Sequence, residues 1–236
     1  MNLFQGITNR RTVLSWGAFD LANQSFTLIV NTLLFGIFVK EVVMAGSQSG
    51  DFVWSLMGSV SLGVVAVCGP ILGALADARG CKKRVLIGTG ILCATLTACL
   101  FFLPSGAAVG IPLALTLAFL VYVAANIAYN FGENFLASFL PEISTRKTMG
   151  LVSAIGWTMG YVGALLLLVA LVIATAVFGI KDAHQFRPLL LFAGLWFGVM
   201  ILPTALFLPE RAAGAERTPS SHPVRAALRP VSDTHL

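Results

Sequence analysis

Asp20 and Glu133 stand inside long apolar stretches, each among polar residues at helical spacing. Trp16, Asp20, Asn23, Gln24, Thr27 and Asn31 recur at steps of three and four; Asn126, Tyr129, Asn130, Glu133 and Asn134 do the same. At about 100° per residue, each set covers one side of a helix. A soluble helix would turn such a stripe to water. Within a bilayer an acid costs at least ~2.5 kcal/mol, so the stripe must face other helices or a wet cavity. Two roles fit these residues. Asp20, Asn23, Thr27, Asn31, Asn126, Asn130, Glu133 and Asn134 could line a transport pathway or gate. Alternatively they are interhelical glue, worth only ~0.6 kcal/mol per hydrogen bond.

Composition fixes the setting. Hydrophobic residues make up 57% of the 236 and charged residues 11%, about half the charge of soluble chains. Mean hydropathy is +0.88. These values describe an integral membrane protein. Cys68, Cys81, Cys93 and Cys99 have no metal-ligand spacing and read as reduced, structural thiols. His184, His222 and His235 fall outside the apolar spans. With no Ser/His or paired-Asp constellation in a span, the sequence predicts no enzyme, no metal and no cofactor. The first apolar run is too long, and too interrupted by Asp20, for a secretory signal.

The elements that must position the two acids are six apolar helices. They are expected over about 13–39, 52–76, 85–103, 111–140, 150–178 and 188–208, an all-α membrane domain spanning 13–208. A short polar lead (1–12) precedes it, and a tail (209–236) without apolar period is expected to be disordered. Six spans put both termini on one side. Lys and Arg then divide 12 against 3, with Arg79, Lys82, Lys83, Arg84, Arg146 and Lys147 in two tight loops on the terminal side. The positive-inside rule places that side in the cytoplasm, and this distribution, rather than a nucleic-acid footprint, accounts for the net charge of +5. At ~1.5 Å rise per residue, Asp20 and Glu133 each lie roughly 10–12 Å from the basic end. Similar depth on helices 1 and 4 is the pattern of two inverted three-helix repeats, where matching polar interruptions point to a transport site.

The junction Gly73-Ala-Leu-Ala-Asp77-Ala-Arg-Gly80-Cys-Lys82-Lys83 resembles the signature loop of the major facilitator superfamily, Gly-x-x-x-Asp-Arg-x-Gly-Arg-Lys. Gly73, Asp77, Gly80 and Lys82 match, while Ala78 and Cys81 replace two arginines. Gly73 is expected to admit close helix packing, Gly80 a tight turn, and Asp77 to face a neighbouring helix N-terminus. Ser15-Trp16-Gly-Ala-Phe19-Asp20-Leu-Ala22-Asn23, Phe139-Leu140-Pro141-Glu142-Ile143 and Ser153-Ala-Ile-Gly156-Trp157-Thr-Met-Gly160-Tyr161-Val-Gly163 narrow the match. They resemble segments of the subfamily that contains the autophagy-related vacuolar amino-acid effluxers. Leu21 and Ala137 depart from its pattern, where Trp and Asn are common. From the residues alone, Gly156, Gly160 and Gly163 form a smooth face for a neighbouring helix. Trp157 and Tyr161 are expected to pack, with substrate contact as the alternative.

The resemblance implies a secondary transporter with helices 1 and 4 beside the substrate, exporting small solutes such as amino acids. Proton coupling through Asp20 or Glu133 is a further expectation. Superfamily members normally have twelve spans in two halves, so six imply a half-size transporter that pairs as a homodimer or with a second six-helix half. A six-helix protein without transport, or a remnant of a longer transporter, is the alternative. The expected surroundings are the lipid bilayer and a small-molecule substrate, in a cell membrane rather than a vacuolar one.

Overall fold

The structure, a computed structural model, describes residue 7 and residues 9–210. The expected tail therefore lies almost wholly outside the described residues. Six helices are long and apolar enough to cross a membrane: α1 (Arg10–Val43), α2 (Gly50–Arg79), α3 (Lys82–Phe102), α4 (Ile111–Ile143), α5 (Met149–Phe178) and α6 (Ala183–Phe207). There is no strand among the described residues. The chain is thus an all-α, multi-pass membrane protein.

The packing carries the inverted repeat. α1 lies between α5 and α6, α4 lies between α2 and α3, and α3 packs on α6. Exchanging helices 1–3 for helices 4–6 maps this pattern onto itself. The helix ends follow the same exchange. α2 stops at Gly80 (φ 61°) and α5 at Gly179 (φ 60°), both left-handed caps that glycine adopts without a Cβ penalty.

Hydrocarbon gives helices no solvent-driven reason to associate, so close packing and interhelical hydrogen bonds must hold them. Phe19, Phe26, Phe35 and Phe38 of α1 are fully buried. Phe19 meets Phe197 of α6 edge to face, with centroids 5.8 Å apart. Phe35 and Trp54 both stack near Tyr122 of α4, at 5.1 and 4.8 Å. The small-residue face of α5 works as the sequence predicts. A methyl group on Gly156 would strike the Trp16 ring, one on Gly160 the Asp20 carboxylate, and one on Gly163 the backbone of Leu21. Gly194 lets α6 approach the α3 backbone at Ala94 and Ala98 in the same way.

Four features differ from the sequence expectation. α1 extends at both ends, because Asn9 caps its start and the first loop shrinks to 44–49, with Lys40 in the helix paired to Asp51 at 2.8 Å. The middle of α1, Ser25–Leu34, winds as a π-helix. Pro141 does not end α4 outright: it starts a last helical turn, Leu140–Ile143, where its missing N–H is tolerated. Gly73 meets no neighbouring helix among the described residues: a Cβ there would find nothing within 4 Å.

Candidate functional site

Trp16 fixes the first wall of the site. Its ring fills the space that Gly156 leaves, and its indole N–H donates to the Leu136 carbonyl of α4 at 2.8 Å. This one side chain ties α1 to both α4 and α5. One turn further, Asp20 rests against Gly160. Asn23, buried, donates its amide to the Glu133 carboxylate across the α1–α4 interface. Asp20 and Glu133 thus line one cleft of about 330 Å³, with Gln24, Ala137 and the aromatic pair Trp157 and Tyr161.

Among the described residues, the ion pairs are Lys40–Asp51, Lys82–Asp77, Lys82–Glu142 and Arg84–Glu210. Among the described residues neither Asp20 nor Glu133 pairs with a cation. The cleft holds two carboxyl groups at membrane depth, open on one side, with the amides of Asn23 and Gln24 beside them.

Trp157 and Tyr161 are not packed into the bundle among the described residues. They are 64% and 67% exposed and stand at the cleft mouth with ring centroids 6.1 Å apart. Their four-residue spacing puts both on one face of α5, beside the smooth face that receives α1.

The remaining polar positions form a second group toward the end opposite the basic loops. Asn126, buried, donates to Ser61 Oγ of α2 at 2.6 Å. It accepts from Asn31 and Asn130, both at 3.3 Å, and Tyr122 donates to Asn31 at 3.1 Å. This network crosses α1, α2 and α4 and is largely satisfied internally. Thr27 bonds weakly to the Asn23 carbonyl, at 3.5 Å. Asn134 joins neither group; it is exposed, beside Gly69 of α2. Tyr122 was legible as the residue four before Asn126. Ser61 sits among apolar neighbours and carries no such signal.

At the basic end, Lys82 Nζ lies 2.8 Å from both Asp77 Oδ1 and Glu142 Oε1. One lysine so bridges the α2–α3 loop to the end of α4, even though Ala78 and Cys81 stand where the superfamily loop has arginines.

The sequence matches, over residues 51–234, the family described as vacuole effluxer Atg22 like. The chain belongs to that family. It is also 31% identical over 156 residues to an uncharacterized MFS-type transporter, YxiO, of Bacillus subtilis (strain 168), covering 64% of this chain and 34% of that protein. The chain therefore spans about a third of the length of this relative. No solved structure matches. Family membership assigns the six helices to the major facilitator type, and two of the three segments that carry the resemblance, those in α1 and α5, supply Trp16, Asp20, Trp157, Gly160 and Tyr161 to the cleft.

Proposed function

We propose that this chain supplies one wall of a secondary-transport pathway, in which Asp20 and Glu133 receive the amine group of a small solute such as an amino acid. The observation that carries this reading is the pair of membrane-embedded carboxylates without a cation, opening to an aromatic mouth. An ammonium group satisfies both features: it pairs with carboxylates, and it is attracted to the faces of Trp and Tyr within about 6 Å of the ring centre. A charge left bare in hydrocarbon is costly, so an occupied or protonated cleft is the stable one. The same carboxylates can take up a proton when the solute leaves, which is the basis for proton coupling. Export agrees with the family's description as effluxers. The cleft's open side is closed by a further six-helix unit, in keeping with the longer relative. The basic end faces the cytoplasm by the positive-inside rule.

Reconstitution tests this. The full chain, with any helical partner that co-purifies from native membranes, is placed in liposomes and assayed for uptake of labelled amino acids under an imposed pH gradient. The expected result is saturable uptake that responds to the gradient and is lost in Asp20→Asn and Glu133→Gln. Uptake unaffected by both variants would overturn the assignment. A second reading, a six-helix protein without transport, is favoured by the satisfied Asn31–Asn126–Ser61 network, which has the form of interhelical glue. Absence of uptake by every co-purified assembly would select it.

A further inference from the structure

We propose that the groove between α5 and α6 binds one anionic glycerophospholipid, with an acyl chain in the groove and the phosphate at Arg187. α5 leans on α1 and leaves α6. The gap between them is a cavity of about 740 Å³ whose floor is Ile29 of α1 and whose walls include Ala174 and Phe178 of α5 and Leu189 and Phe192 of α6. Both walls are membrane spans, so the groove opens to the bilayer rather than to water. From Ala170 to Phe178 it runs about 12 Å at the helical rise, which is most of one leaflet, about half of a ~30 Å hydrocarbon core.

The mouth of the groove is polar and carries positive charge. His184, Gln185 and Arg187 line it, at the end of the bundle opposite the basic loops. The acid in this turn is already engaged: the Asp182 side chain accepts the Gln185 backbone N–H in a capping box. Arg187 makes no ion pair of 4 Å or less among the described residues; its guanidinium lies over the Phe38 ring of α1, 5.8 Å from its centre. A guanidinium without an anion among the described residues, at the mouth of an apolar slot and at headgroup level, complements a phosphate diester attached to a hydrocarbon chain. A soluble anion would satisfy only the mouth, and a neutral lipid only the slot.

The test uses the full chain in nanodiscs holding equal amounts of phosphatidylglycerol and phosphatidylcholine with identical acyl chains. Lipids retained after release are counted by native mass spectrometry. The expected result is one retained lipid, with phosphatidylglycerol favoured on the order of fivefold, the ratio one cation gives against an anionic surface. Arg187→Gln should equalise the two lipids, Arg187→Lys should keep a preference, and Ala174→Phe, which fills the slot, should lower retention of both. Equal retention by the wild-type protein would overturn the proposal. So would an unchanged preference in Arg187→Gln, or displacement of the lipid by inorganic phosphate. Should Arg187→Gln fail to fold, the wild-type preference, the phosphate competition and Ala174→Phe decide.

Discussion

Two groups of carboxylates sit at different depths of the same bundle and are treated differently. At the basic end, Asp77 and Glu142 share Lys82, which lies 2.8 Å from each. Deeper in, Asp20 and Glu133 share a cleft and the amide of Asn23, but no cation. The shallow group is a fastening: one lysine at the start of α3 joins the ends of α2 and α4 and gives each carboxylate a cation within 2.8 Å. The deep group is incomplete, although burial makes each bare charge there more expensive. Carboxylates held between helices by an amide and left without a cation among the described residues are the form expected of a binding site.

The largest effect sharpens what holds the deep group in place. Gly156→Leu should overpack the Trp16 ring by roughly 3 kcal/mol and leave little monodisperse protein on size exclusion. Normal behaviour would mean that α5 does not depend on α1 at that point. The two groups themselves should then respond oppositely. Lys82→Met strands two carboxylates and should destabilise by about 1–2 kcal/mol, between exposed and buried pairs, with part of the loss restored by adding Glu142→Gln. Asp20→Asn removes a charge that has no cation among the described residues, so its melting temperature in detergent should equal or exceed that of the wild type. A fall as large as that of Lys82→Met would erase the distinction.

Smaller effects come from the hydrogen bonds. Asn126→Ala removes the centre of the network between α1, α2 and α4 and should cost about 1 kcal/mol, read as a lower melting temperature. Trp16→Phe keeps the ring against Gly156 but deletes the bond to Leu136; a loss near or below 1 kcal/mol is expected. The cleft should remain intact in that variant, with solute binding retained.

Much of this was legible in the sequence. The six spans follow from apolar length, and the repeat follows from Asp20 and Glu133 at equal depth on helices 1 and 4. Gly156, Gly160 and Gly163 identified the face that receives α1. Three features were hidden for physical reasons. The π-helical turns of α1 reflect tertiary packing, which residue spacing does not encode. Gly73 looked like a packing glycine because its motif supplies one, but no helix lies beside it among the described residues. Trp157 and Tyr161 carry apolar bodies that suit a packed face as well as a cleft mouth, and their place beside the cleft follows from the lean of α5 onto α1. The apolar groove on the far side of α5 was invisible for the same reason.

The most direct test of the deep group is binding to the solubilised full chain, with any co-purified partner, by isothermal titration with an amino acid and its N-acetylated form. The acetylated form keeps the side chain and loses the ammonium charge. Binding of the free amine alone, abolished by Asp20→Asn with Glu133→Gln, is the predicted result. Equal binding of both forms, or binding indifferent to the two substitutions, would contradict the claim that the uncompensated carboxylates are the site.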